Sequence, residues 1–101
     1  MDLINPCSKA DFPGRSVAYT GTAGSTATWN PGPQAVFVWS DQACYVEVGV
    51  DAVATTASTP IPANTPVRII LPTNMNGAPW RVSAIQVSTG GTVYAKPINR
   101  N

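Results

Sequence analysis

AVFVWS (residues 35–40) and CYVEVGV (residues 44–50) lie only three residues apart in the chain. The first is a continuous apolar run of β-forming residues, which is typical of a strand covered on both faces. The second alternates strictly, with Val46, Val48 and Val50 on one face and Tyr45, Glu47 and Gly49 on the other. Two adjoining β-runs joined by Asp-Gln-Ala are expected to form a hairpin.

Shorter β-runs flank this centre on both sides, at residues 15–20, 26–29, 67–71, 80–87 and 93–96. Turn-forming residues separate them, and Thr-Gly-Gly-Thr at 89–92 predicts a hairpin turn between the last two. No stretch keeps a helical period beyond one turn. Six or seven short strands with turns between them predict an all-β domain, a single small antiparallel β-sandwich or barrel.

Two segments lack the periodicity of a core element. Residues 1–15 contain two prolines and a Phe-Pro-Gly turn, and we expect them to form an extended N-terminal arm on a domain of residues 16–101. Residues 51–66 are rich in Ala, Thr, Ser and Pro and predict a long surface connection. The β-runs themselves supply the expected core, which is Val36, Val38, Val46, Val48, Ile69, Leu71, Val82 and Ile85.

The composition argues against catalysis. The 101 residues include no histidine, which is the commonest general acid or base and the commonest metal ligand. Cys7 has Lys9 nearby but no base to activate it, and two cysteines without histidine do not make a zinc pattern. Glu47 and Asp51 are four residues apart, and surface positions on a strand and at its end explain them more simply than paired catalysis. We therefore expect no enzyme activity, no metal and no cofactor.

The charge pattern bears on partners. The net charge is +1, and the six basic residues are never adjacent, so no basic face for nucleic acid is expected. No apolar run approaches the ~18 residues of a membrane span, and the start of the chain lacks the pattern of a signal peptide. Synthesis in a cytoplasm would keep Cys7 and Cys44 reduced, with Cys44 as a small buried hydrophobe. A Cys7–Cys44 disulfide is the alternative.

The sequence alone does not decide what the three tryptophans and three tyrosines do. In the simplest interpretation Trp39 belongs to the core, while Trp29 and Trp80 cap strands beside prolines. Exposed Trp and Tyr would also suit a protein interface. A third interpretation is a stacking platform for sugars or for unpaired bases.

The chain also resembles a class of small head proteins of tailed bacteriophages, the capsid decoration or cement proteins. The resemblance covers roughly residues 16–98 and lies in the order of β-runs and loop types. These are GTAGSTATW at 21–29, VFVWS at 36–40, CYVEVG at 44–49, PIPANTP at 60–66, VSAI at 82–85 and TVYA at 92–95.

The resemblance implies a non-enzymatic virion protein that is made in the bacterial cytoplasm and then binds the outer surface of an assembled head. There it would clamp neighbouring major capsid subunits together. So small a domain is marginally stable alone, and we expect a homo-oligomer, a dimer or trimer. Expected contacts lie in the arm and in the 51–66 connection, at Leu3, Ile4, Pro6, Phe12 and Arg15 and at Thr55, Thr56, Pro60, Ile61 and Pro62.

Two other functions remain open from the sequence. One is a carbohydrate- or receptor-binding β-module of a viral fibre or spike, which would use the Trp and Tyr residues. The other is a barrel that binds single-stranded nucleic acid.

Overall fold

The computed structural model describes residues 5–6, 12–71 and 78–99. All regular secondary structure in these residues is β. The strands are β1 (Asn5–Pro6), β2 (Arg15–Tyr19), β3 (Gly24–Ser25), β4 (Ala35–Ser40), β5 (Cys44–Gly49), β6 (Thr59–Ile61), β7 (Val67–Ile70), β8 (Arg81–Gln86) and β9 (Gly91–Asn99). Within these ranges we find no helix long and apolar enough to cross a membrane.

The nine strands form two antiparallel sheets. In sheet A, β9 pairs with β4 on one side and with β1 and β2 on the other, while β7 pairs with β4. In sheet B the order is β3–β8–β5–β6. The all-β prediction is thus confirmed, and β1 and β6 are strands that the sequence patterns did not predict.

Neither predicted hairpin forms, because both connections pass from one sheet to the other. β4 pairs with β7 and β9 in sheet A, whereas β5 pairs with β6 and β8 in sheet B. Likewise β8 belongs to sheet B and β9 to sheet A, so residues 89–92 do not make a hairpin turn. Both hairpin predictions are wrong for one physical reason: each of these strands finds a partner along its whole length elsewhere in the chain.

A buried hydroxyl network holds the crossover from β4 to β5. The Tyr19 hydroxyl lies 2.6 Å from Ser40 Oγ and donates to the carbonyl of Gln42 at 2.8 Å. Asp41 Oδ1 accepts from the backbone N–H of Thr92 at 2.8 Å. Because these bonds connect the crossover to β2 and to β9, the three-residue connection is fixed at the end of sheet A.

The core draws residues from both sheets. Most of the expected core is confirmed: the buried members are Val36, Val38, Val46, Leu71 and Val82. Val48 and Ile69 are only partly buried and pack against this core. Ile85 is a wrong prediction, since it is half-exposed and lies opposite Tyr45 on the outward face of sheet B.

Trp39 is not in the core as expected, whereas the two tryptophans expected to cap strands are. Trp29 and Trp80 are fully buried, with ring centroids 4.7 Å apart, and their backbones form an isolated antiparallel bridge. Trp39 is half-exposed on the outward face of β4. The strand expected at 26–29 is therefore misplaced: β3 ends at Ser25, and the bridge at Trp29 brings an aromatic pair into the core.

The N-terminal segment is attached to the domain wherever the structure describes it. β1 pairs with the end of β9, and β2 begins at Arg15 rather than after it. The carbonyl of Pro13 accepts from Trp29 Nε1 at 2.8 Å, and the Phe12 side chain packs against the core. These contacts connect the described parts of residues 1–15 to the rest of the chain; Leu3, Ile4 and Cys7 lie outside the described residues.

The 51–66 segment is more than a surface connection. Its β6 adds a strand to sheet B, and the side chains of Ala52, Ala54 and Ile61 are buried. The Ala54 N–H donates to the buried Ser83 Oγ at 2.9 Å, and Arg81 Nε donates to the Ala52 carbonyl at 2.9 Å. These bonds hold the segment across the outward side of β8.

Candidate functional site

The outward face of sheet A carries an open group of aromatic side chains. Strand alternation directs Val36, Val38 and Ser40 of β4 inward, where all three are buried. The same alternation directs Phe37 and Trp39 outward, where both are half-exposed. The predicted strand was expected to be covered on both faces, but the structure covers only one.

Cross-strand register brings β2, β4, β7 and β9 residues into two rows on this face. In the first row, Tyr94 of β9 lies directly opposite Trp39 on one side and Ser16 on the other. In the second row, Phe37 lies between Lys96 of β9 and Arg68 of β7. We call the five residues Phe37, Trp39, Arg68, Tyr94 and Lys96 the aromatic face.

The first row forms one wall of a shallow groove. The Trp39 and Tyr94 ring centroids are 5.0 Å apart with an angle of 42° between the ring planes, and Tyr94 is 45% exposed. The groove has a volume of about 330 Å³, and its lining also includes Gly14, Arg15, Ser16, Phe37, Ala95 and Lys96. Small-molecule sites start at about 300 Å³, so the groove has room for one side chain or one sugar ring.

Among the described residues, the charged side chains that line the groove, Arg15 and Lys96, are both basic. Lys96 Nζ donates one hydrogen bond to the carbonyl of Phe12, and an ammonium group has three donors. Arg68 is exposed at the end of the same row. No Asp or Glu occurs in any strand of sheet A.

The outward face of sheet B is different in both charge and access. It bears Glu47 on β5 and the half-exposed Tyr45. The segment that contains the buried Ala52 and Ala54 lies over part of it, held by the bonds to Ser83 and Arg81. Among residues 12–71 and 78–99, only the outward face of sheet A presents a row of aromatic rings with basic side chains beside it.

The contact residues expected from the sequence are spread over different parts of the molecule. Phe12 contributes its carbonyl to Lys96, next to the groove. Arg15 faces the interior side of β2, with its guanidinium carbon 5.5 Å from the Trp29 ring centroid and its buried Nε without a hydrogen-bond partner. Arg15 is thus packed over a core ring and also contributes to the lining of the groove, whereas Pro6 lies in β1.

The expected loop contacts lie along the sheet B edge. Thr55, Thr56, Pro60 and Pro62 are exposed there, on or beside β6. Ile61 is 2% exposed and belongs to the core cluster, so its side chain is not a surface contact. The structure does not bring these residues together with the aromatic face.

Local sequence patterns did not single out Phe37 or Lys96, and they grouped Tyr94 only with the other Trp and Tyr residues. The signal that could have found the first was the alternation of valines with aromatic residues in residues 36–39, which separates a core face from an outward face. The roles of Tyr94 and Lys96 depend on the register of β9 against β4, which residues about sixty positions apart determine. That pairing is not visible in local sequence.

Two buried titratable residues, Tyr19 and Cys44, belong to the hydrophobic core. Burial raises the pKa of the Tyr19 hydroxyl from 10.0 to about 12. Burial likewise raises the pKa of the Cys44 thiol, which is free and fully covered. A raised pKa and lack of access make Cys44 a poor nucleophile, and its expected role as a small buried hydrophobe is confirmed.

Comparison with known proteins does not assign the chain to a family. No protein-family model, no curated protein sequence and no solved structure matches it. Within the described residues, no group of three or more Cys, Asp or Glu side chains is placed to hold a metal ion. The aromatic face is therefore the candidate site on geometric grounds alone.

Proposed function

We propose that the chain is a non-enzymatic structural protein that docks on a larger assembly through the outward face of sheet A. The assembly proposed is the outer surface of a tailed-phage head, where the protein would cement neighbouring major capsid subunits. The observation that supports docking is the aromatic face itself: three half-exposed or exposed rings in two rows beside an open groove.

The physics of protein interfaces favours such a face. Interface centres are enriched in Trp, Tyr, Phe and Arg, and a few of these residues carry most of the binding energy. Rings on adjacent β-strands are held by the backbone register, so little conformational entropy is lost when a partner covers them. Docking repeated around a shell would multiply weak single contacts.

The way in which the two sheets pack against each other is part of the same proposal. We infer that the two sheets form a sandwich rather than a barrel, because Val38 of sheet A and Val46 of sheet B belong to one core while β6 and β7 remain as sheet edges. A homo-oligomer, dimer or trimer, is proposed on the small size of the domain, and sedimentation velocity would measure it.

Co-sedimentation with phage heads tests the function. The major capsid protein encoded nearest to this chain would be assembled into empty heads, mixed with the purified protein and pelleted. Trp39→Ala and Tyr94→Ala should each weaken binding at least about tenfold, the scale of an interface hot spot. Tyr45→Ala is the matched control, since Tyr45 is a half-exposed aromatic on sheet B.

Each outcome of this test decides between alternatives. Loss of binding with the two sheet A variants and not with the control would support docking through the aromatic face. Equal loss with all three would indicate a general effect on folding and contradict the assigned face. Absence of binding by the wild-type protein, with a tail-fibre gene beside the chain instead of a capsid gene, would contradict the capsid assignment.

A second candidate function is a carbohydrate-binding module of a viral fibre or spike. The observation that favours it is the open groove beside Trp39 and Tyr94, where a sugar ring could stack on an exposed aromatic surface. A glycan array probed with the wild type and with Trp39→Ala would distinguish the two functions. Glycan signals that Trp39→Ala removes would support this candidate against capsid docking.

A further inference from the structure

The groove on the aromatic face exists because small residues lie close to large rings. β9 runs between β4 and β2. The β4 side contributes the rings of Phe37 and Trp39, whereas the β2 side contributes Gly14 and the exposed Ser16. A Cβ atom at Gly14 would meet nothing closer than the Ala95 carbonyl oxygen, at 3.7 Å. The side chain that this glycine lacks therefore leaves space beside the rings.

The polar side chains of the groove are rich in hydrogen-bond donors. The Trp39 indole and the Lys96 ammonium group only donate, and the hydroxyls of Ser16 and Tyr94 can donate as well. Lys96 donates one hydrogen bond to the Phe12 carbonyl, and an ammonium group has three donors. None of the described lining residues is Asp, Glu, Asn or Gln. The matching ligand is therefore apolar, with polar groups that accept hydrogen bonds.

Proline-rich segments combine these two properties. A proline residue carries an apolar ring and a C=O acceptor, and it has no N–H that a donor-lined groove would leave without a partner. In the polyproline II conformation the carbonyls make no internal hydrogen bonds, so they remain accessible. Because the ring already fixes φ, little conformational entropy is lost on binding. Grooves lined by aromatic residues are a recurrent binding site for such segments.

We propose that the groove binds a proline-rich segment of a partner protein in the polyproline II conformation. One proline ring packs against Trp39 and Tyr94, whose ring centroids are 5.0 Å apart, and the volume of about 330 Å³ has room for it. Carbonyls of the segment accept from the Trp39 indole and from Lys96, whose positive charge complements the carbonyl oxygens. This inference deepens the proposed docking function and rests on it for the identity of the partner.

The chain's own prolines do not supply such a segment. Pro62 and Pro66 are exposed in the connection between β6 and β7. Between them, Asn64 has a φ of 57°, and its N–H donates to the Ser40 carbonyl at 2.8 Å. Polyproline II needs a φ of about −75° at every residue, so this connection is a turn. The occupant is therefore a segment of another protein and not this connection in a second copy.

A carbohydrate matches the groove less well. Sugar hydroxyls donate hydrogen bonds as well as accept them. The described lining offers no carboxylate or amide side chain as an acceptor, which leaves hydroxyl groups and backbone carbonyls. A proline segment makes no such demand.

The test titrates three probes into the full-length, isotope-labelled protein and follows the tryptophan indole N–H groups by nuclear magnetic resonance. The probes are acetyl-hexaproline amide, an acetylated and amidated hexapeptide of two Pro-Gly-Gly repeats, and cellohexaose. The second probe keeps two proline rings but is flexible, because glycine does not restrict φ. We expect hexaproline to bind at least about tenfold more tightly than the other two probes.

Two of the three indoles serve as internal controls. Trp29 Nε1 donates to the Pro13 carbonyl at 2.8 Å, and Trp80 Nε1 donates to the Asn30 carbonyl at 3.2 Å. Both rings are fully buried. Hexaproline should shift the Trp39 resonance and leave these two unchanged. Equal shifts of all three would indicate a change in the fold and contradict binding in the groove.

A blocking variant tests the groove without removing a ring or a charge. Gly14→Val places a side chain in the groove, and its Cβ makes only ordinary contacts. Gly21→Val is the matched control, because its Cβ also makes only ordinary contacts and Gly21 does not line the groove. Gly14→Val should weaken hexaproline binding at least about tenfold, whereas Gly21→Val should leave it unchanged. Equal binding by the two variants would overturn the inference. Trp39→Ala provides the same readout if urea unfolding shows that Gly14→Val is destabilised.

The results separate this inference from the proposed function. Equal affinity for the two peptides, or selective binding of cellohexaose, would overturn the inference even where the protein binds phage heads. Hexaproline that displaces the protein from heads would support both, and it would place the proline-rich segment on the capsid. Selective hexaproline binding without any binding to heads would support the inference and contradict the capsid proposal.

Discussion

Removing one buried hydroxyl tests whether the network at the β4–β5 crossover stabilises the fold. Tyr19→Phe keeps the ring, which is 2% exposed, and deletes the hydrogen bonds to Ser40 and Gln42. Ser40 Oγ also lies 2.8 Å from the Gln42 carbonyl, so neither group is left without a partner. With a net value of about 1 kcal/mol for each bond, we expect a loss of about 1–2 kcal/mol at neutral pH.

The pH dependence of the unfolding free energy tests the same hydroxyl independently. Burial raises the pKa of Tyr19 from 10.0 to about 12. The folded state therefore holds the phenol proton more tightly than the unfolded state, so the stabilisation is complete below pH 10 and is lost as the pH rises towards 12. Near pH 11 about one unit of the shift, or ~1.4 kcal/mol, should be gone. Tyr19→Phe lacks this dependence.

Urea unfolding followed by tryptophan fluorescence is a suitable assay, because Trp29 and Trp80 are fully buried. With a slope near 2 kcal/mol per molar urea, the expected loss shifts the midpoint by about 0.5–1 M at pH 7. The two proteins should then approach each other near pH 11. Equal midpoints at pH 7, or a constant difference up to pH 11, would refute the assigned role of the hydroxyl.

Three further substitutions test the packing between strands. Gly24→Ala should lower the unfolding free energy by about 1–3 kcal/mol because its Cβ would collide with a β2 carbonyl, whereas Gly21→Ala makes only an ordinary contact and serves as control. Ser83→Ala should cost about 1–3 kcal/mol, since it leaves a buried N–H without an acceptor; calorimetry showing no change would place water there. Val82→Ala should cost about 1.5–3 kcal/mol, and a smaller effect than at the partly buried Val48 would contradict the core assignment.

Local sequence patterns predicted the strands better than their partners. The runs at 35–40 and 44–49 are strands as expected, because alternation and β-branched residues depend only on near neighbours. Their pairing was predicted from the short connection between them. The partners that replace this pairing, β9 and β8, lie about forty to sixty residues further along the chain. A local pattern does not indicate which distant strand will pair with a given strand.

In the candidate site too, local sequence patterns could not predict what depends on distant parts of the chain. Trp39 was placed in the core because its neighbours are apolar, yet the valines on either side face inward and the ring faces outward. Trp29 was expected only to cap a strand beside prolines, and its contact with Trp80 lies within the core. Burial of a large ring depends on which chain segment covers it. That segment was unknown until the pairing of the sheets was known.

The position of β9 has a consequence for how the protein is made. β1, β2 and β4 all pair with this strand, which is synthesised after every other strand described. While residues 91–99 are still inside the ribosome, AVFVWS at 35–40 has no β9 beside it and resembles an aggregation-prone segment. At about 5–20 residues per second, that exposure lasts for seconds after the segment is synthesised. A nascent chain stalled before residue 91 should therefore bind chaperones or aggregate instead of folding in part.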